Sequence, residues 1–150
     1  THANKCGRVA GTNIGGGSAR FPGMVGTAIT RAGGVEVART GLLPAQATGL
    51  LGLAVVEQRL DSTTTSGYMP QASPMSIWVL ADRQDDRLLG CQLTGGPGAA
   101  KRIDTAAAAL FAGMTVGEFA YLDLAYAPPF SPAWDPVQIA CRALAESLNR

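Results

Sequence analysis

Residues 75–93, Met-Ser-Ile-Trp-Val-Leu-Ala-Asp-Arg-Gln-Asp-Asp-Arg-Leu-Leu-Gly-Cys-Gln-Leu, decide the fold. Met75, Ile77 and Val79 alternate with Ser76, Trp78 and Leu80, and after the polar run Asp82 to Arg87 the residues Leu89, Cys91 and Leu93 alternate again. Period-two alternation on both sides of a short polar loop is the pattern of an antiparallel hairpin. Upstream, Thr27 to Thr30 and Val35 to Thr40 are two β-branched stretches separated by Gly33-Gly34, whose freedom to take positive φ suits a hairpin turn. Between these pairs, Pro44 fits the first turn of a helix running to about Leu51 with Gly52 to stop it, and Leu53 to Leu60 has strand composition.

From Lys101 onward the period becomes helical. Ile103, Ala106, Ala107, Leu110 and Met114 share one face. Thr115 and Glu118 have capping-box spacing for a short second helix through about Tyr121. Asp135 suits the cap of a last helix with Pro136 at its first position, and Val137, Ala140, Cys141, Leu144 and Leu148 form its apolar stripe. Strands first, with helices between and after them, imply an α+β domain: an antiparallel sheet with helices packed on one face. Residues Thr1 to Gly26 read differently, since Lys5 to Ala10 suits one or two helical turns and Gly15-Gly16-Gly17-Ser18 is a breaker run.

Composition narrows function. The chain has 150 residues, 47% of them hydrophobic, and a formal net charge of +1. A near-neutral balance gives no pull toward phosphate backbones or anionic lipid, so neither nucleic acid nor a membrane is an expected partner. The apolar runs, such as Leu50 to Val56, are far shorter than the roughly 20 residues of a membrane helix. Three cysteines, Cys6, Cys91 and Cys141, lack C-x-x-C spacing, which argues against a disulfide framework and for a reducing, cytoplasmic setting. Cys91 and Cys141 fall on core stripes and read as buried hydrophobes. The single histidine, His2, lies at the terminus and cannot anchor a catalytic triad, and no metal site is expected.

Two glycine-rich segments fail as nucleotide loops. Gly95 to Arg102 has Ala100 and Arg102 flanking Lys101 where a phosphate loop needs Gly and Ser or Thr, and Gly11 to Gly17 lacks G-x-G-x-x-G spacing. Residues 123–136, Asp-Leu-Ala-Tyr-Ala-Pro-Pro-Phe-Ser-Pro-Ala-Trp-Asp-Pro, differ in kind. Prolines stiffen the backbone there, and Tyr126, Phe130 and Trp134 ride on it. Such rings either close the end of the core or meet a partner or flat ligand, and the residues alone leave both readings open.

That stretch resembles the carboxy-terminal signature of the pyridine nucleotide-disulfide oxidoreductases, in the branch holding coenzyme A-disulfide reductases, NADH oxidases and NADH peroxidases. The resemblance continues through Arg20-Phe21-Pro22-Gly23 with Gly26-Thr27-Ala28, through Glu36-Val37-Ala38-Arg39-Thr40-Gly41-Leu42, and through Lys101-Arg102-Ile103-Asp104. Ala3 to Arg8 is similar to the closing helix of that family's FAD-binding domain.

The resemblance implies that residues 1–25 are the end of an FAD-binding domain with its linker, and that residues 26–150 are a dimerisation domain. Two copies would pair head to tail, each completing the other's active site. Tyr126 would then face the partner subunit's redox cysteine or bound thiol, and Phe130 its flavin. The family's Tyr-Tyr-Pro turn is matched by Tyr68-Met69-Pro70, which makes Tyr68 a catalytic candidate beside Tyr126. The second aromatic of that turn is the active-site tyrosine of the coenzyme A-disulfide reductases. Here its place is taken by Met69, whose thioether has no proton to give. A histidine before the turn is matched by Thr65, and a lysine near the end of the proline run by Trp134.

The intact parent would use FAD and NAD(P)H to reduce a disulfide, peroxide or oxygen, with its upstream FAD- and NAD-binding domains as this domain's partners. The fragment alone is expected to bind neither cofactor and to be inactive. A reading from another class is a free-standing α+β binding module that uses the aromatic, proline-rich loop.

Overall fold

A computed structural model describes residues 2–149. A helix α1 (His2–Ile14) leads through an extended linker to a five-stranded antiparallel sheet of β1 (Ala28–Ala32), β2 (Val35–Gly41), β3 (Val55–Thr63), β4 (Pro74–Asp82) and β5 (Leu88–Gly95). Helix α2 (Pro44–Leu51) joins β2 to β3, and α3 (Ile103–Ala112), α4 (Val116–Ala120) and α5 (Pro136–Leu148) follow the sheet. Strand order is β1-β2-β5-β4-β3, so the hairpin β4–β5 is central and β2 returns to the far side of β5. The chain is α+β, as the change of period from two to 3.6 implies.

Register fixes which residues are buried. Ala38, Leu93, Ile77 and Leu60 lie in one row across β2, β5, β4 and β3, and Thr40, Cys91 and Val79 in the next row on the same face. Helices α3 and α5 cover that face, with Ile103, Ala106, Val137, Ala140, Cys141 and Leu144 all buried against it. Phe119 of α4 is also fully buried in this core. On the opposite face Arg39, Gln92, Trp78 and Arg59 form a row, with the Arg59 guanidinium 5.0 Å from the Trp78 ring centroid. Leu43, just before α2, lines a shallow groove there with Val37, Trp78, Gln92 and Thr94.

Local chemistry sets the element ends. Gly33 and Gly34 take φ of 55° and 85° in the β1–β2 turn. Gln46 Oε1 accepts from the Leu43 amide at 2.9 Å above Pro44, and Gly52 closes α2 at φ 65°. Thr115 Oγ1 accepts from the Glu118 amide at 3.1 Å while Glu118 accepts from the Thr115 amide at 2.8 Å. The backbone bond from Thr115, the stronger influence, and that from its hydroxyl hold the Glu118 carboxyl below its ordinary range. Asp135 Oδ1 accepts from the Val137 amide at 2.9 Å and starts α5.

Two elements extend beyond their sequence signal. Helix α1 runs over 13 residues rather than one or two turns, because Gly7 and Gly11 each cost only about 1 kcal/mol within a helix, too little to stop it. It has no buried residue. Strand β3 continues three residues past Leu60 to Thr63, held by Ser62 and Thr63 pairing with Met75 and Pro74.

Candidate functional site

Two loops at one end of the sheet carry the candidate residues. The first, residues 64–73, joins β3 to β4 and is closed at its neck by the Thr64 amide donating to Ser73 O at 2.9 Å and the Ser73 amide donating to Thr64 Oγ1 at 3.1 Å. Tyr68 stands at its tip, 76% exposed, in a turn where the Met69 amide donates to Ser66 O. The second loop is the proline-rich run. The amides of Phe130 and Ser131 both donate to Ala127 O, at 2.9 and 3.1 Å, folding the run into a compact turn. Tyr126, Phe130 and Trp134 are 53%, 77% and 47% exposed, so this turn shows its rings to solvent instead of closing the core. Trp134 also packs 5.3 Å from the Arg142 guanidinium on α5.

The loops are stitched to each other. Ser66 donates through its amide to Pro128 O at 3.1 Å and through its hydroxyl to Ser131 O at 3.4 Å, and Gln71 Nε2 donates to Pro129 O at 3.4 Å. Tyr68 and Tyr126, both singled out from sequence as catalytic candidates, thus sit on two loops that share one backbone seam. Phe130 belongs to the same seam. The hydroxyls of Thr65 and Ser131 are buried without a partner.

Arg102 and Glu36 do the positioning, and neither was evident as an organiser from sequence. Arg102 Nε donates to Asp135 Oδ2 at 2.9 Å, Nη1 to Gly98 O at 2.8 Å, and Nη2 to both Thr64 O and Phe130 O. Glu36 Oε2 accepts from the amides of Gly98 and Ala100 at 3.1 and 3.0 Å. Both residues lie inside stretches that carry the family resemblance, which was the available signal. What they contact is mostly main chain, which leaves no mark in a pattern of side chains.

The glycine turn at 95–98 therefore already holds an anion. The amides that a phosphate would need are taken by the Glu36 carboxylate, and an internal carboxylate at this helical start excludes a second negative group. Gly11 lies within α1, where its amide serves the helix. These residues do not fit a dinucleotide's pyrophosphate. What they offer a flavin is an exposed apolar ring, Phe130, and two exposed phenols capable of donating a hydrogen bond.

The thiols offer no nucleophile at this site. Cys91 and Cys141 are buried and free, and desolvation, the main cause, pushes the Cys91 thiol up to about 12, with the Asp135 charge adding to it. Cys141 is raised for the same reason, with Cys91 and Asp135 contributing. No three His, Cys, Asp or Glu side chains gather as a metal site among the described residues. No helix among them is long and apolar enough to cross a membrane.

The antiparallel sheet backed by helices thus ends in a stitched pair of ring-bearing loops. Residues 28–137 match the family described as pyridine nucleotide-disulphide oxidoreductase, dimerisation domain, and the chain belongs to that family. It is 42% identical over 141 residues to the NAD(P)H coenzyme A polysulfide/persulfide reductase of Pyrococcus horikoshii, covering 94% of this chain and 31% of that protein. It is 32% identical over 149 residues to the NADH oxidase of Methanocaldococcus jannaschii, covering 99% of this chain and 33% of that protein. Among solved structures, an NAD-dependent persulfide reductase from A. fulgidus superposes with a TM-score of 0.93 at 39% identity, over 98% of this chain and 27% of that one. The chain spans about a third of the length of the curated relatives it matches.

Proposed function

We propose that this domain pairs two subunits of an FAD- and NAD(P)H-dependent reductase of persulfides or disulfides, and that Tyr68, Tyr126 and Phe130 of one copy finish the redox site of the other. The exposure of these three rings on two mutually bonded loops carries the reading. Large rings left in solvent by a rigid loop are binding groups, because ordering them costs little when a partner arrives. The domain's own thiols, Cys91 and Cys141, are buried, so the redox cysteine is supplied from outside residues 26–150. In the assembled site Tyr126 and Tyr68 would donate a hydrogen bond or proton to a departing thiolate, and Phe130 would exclude water from the flavin's edge. Residues 1–25 belong to the flavin-binding domain, in keeping with an α1 that has no buried residue. Three free cysteines suit a cytoplasmic setting.

Mixed dimers of the full-length enzyme test this. One subunit carries Tyr126→Phe with Phe130→Ala, and the other lacks its redox cysteine. If the rings act across the interface, the ring-mutant subunit's cysteine faces its partner's wild-type rings, so this mixed dimer keeps one intact site and about half the activity. A dimer whose one subunit carries both lesions has no intact site, because one site lacks its cysteine and the other its rings, and is inactive. The reverse result would place the rings in their own subunit's site.

A further inference from the structure

We propose that Arg102 is the positioning residue of the pairing surface, holding the Tyr68 loop and the Tyr126–Phe130 loop in one rigid arrangement; this rests on the pairing function proposed above. Its side chain is 12% exposed and reaches four acceptors, Thr64, Gly98, Phe130 and Asp135, on three segments of the chain. One nitrogen, Nη2, donates to the carbonyls of both Thr64 and Phe130, so the neck of one loop and the turn of the other are referred to a single atom. Nη1 adds Gly98, where Glu36 bonds the same residue from β2. Nε adds Asp135, whose other oxygen caps α5. The sheet, the helix and both loops therefore meet at one guanidinium.

Only a guanidinium fits these positions. The four acceptors engage three nitrogens of a planar fork, whereas a lysine presents three donors from one point and cannot span them. Without the fork, the loops keep the Ser66 and Gln71 bonds, of which two are 3.4 Å long. The hydrophobic core, centred on Ile77, Leu93, Ile103, Phe119 and Leu144, does not depend on those contacts. Losing the fork should loosen the loops and spare the sheet.

The test uses the 150-residue chain with Arg102→Lys and Arg102→Met. Amide hydrogen exchange is read at Ser66, Phe130 and Ser131, with β4 and β5 amides as internal reference, and self-association is measured by sedimentation. We expect loop exchange to quicken at least tenfold in both variants with the reference amides within threefold, and the dimer dissociation constant to rise at least tenfold. Loop exchange unchanged in Arg102→Lys overturns the proposal, as does equal acceleration of loops and sheet, which would signal plain loss of stability. Faster loops with an unchanged dissociation constant overturn it too. A wild-type chain that stays monomeric at every concentration defeats the pairing reading instead, and exchange alone then decides whether Arg102 sets the loops. Should Arg102→Met not fold, Arg102→Lys, which keeps the charge, carries the measurement.

Discussion

Asp135 and Arg102 face each other with 2.9 Å between Oδ2 and Nε, and both side chains are nearly out of solvent, at 15% and 12% exposure. The same carboxylate begins α5 through its other oxygen. Asp135→Asn keeps an oxygen for the Val137 amide but leaves Arg102 beside a neutral group. Urea denaturation should show a loss of about 3 kcal/mol. Asp135→Ala should lose about 1 kcal/mol more, since the cap goes as well. The exposed pair Lys101–Asp104 is the control, where Asp104→Asn should change stability by less than about 0.5 kcal/mol.

Gly41 and Gly49 should respond in opposite directions to alanine. Gly41 has φ of 69°, and a Cβ built there would stand 2.2 Å from Leu89 O, at the last paired rung of β2 and β5. Gly41→Ala should cost about 3 kcal/mol or prevent folding, through backbone strain and collision together. Gly49 lies within α2 with nothing within 4 Å of a new Cβ. There alanine should stabilise by about 0.5 kcal/mol. Paired thermal melts of the two variants read both signs.

Raised thiols make the fold alkali-sensitive. An unfolded cysteine ionises near pH 8.5, whereas folded Cys91 holds its proton to about 12. Below pH 8.5 both states are protonated and the stabilisation is complete. As pH climbs from there toward 12, only the unfolded chain releases the proton, so stability falls with rising pH. Cys91→Ala should flatten that decline in alkaline denaturation curves. In native protein near pH 8, a thiol reagent should label Cys6, which is half-buried, and spare Cys91 and Cys141 until urea is added.

Alternation at 75–93, the Gly33-Gly34 turn and the caps at Thr115 and Asp135 were legible because each is a local rule written in adjacent residues. The order β1-β2-β5-β4-β3 was not, since placing β2 beside β5 pairs residues as far apart in sequence as Glu36 and Gly95, which no local pattern encodes. Tyr126, Phe130 and Trp134 were found by their spacing on stiff backbone, yet whether they faced inward or outward needed the fold. Arg102 went unseen as an organiser because three of its four acceptors are carbonyls, which every residue possesses. Helix α1 outran its signal because glycines weaken a helix without forbidding it.

The Arg102 fork draws together residues from 64 to 135. During synthesis, β1 to β5 leave the ribosome well before Asp135 does, and they can close into a sheet while the fork still lacks its anion. The surface that would recognise a second copy is thus completed only once Asp135 has emerged, well after the sheet itself.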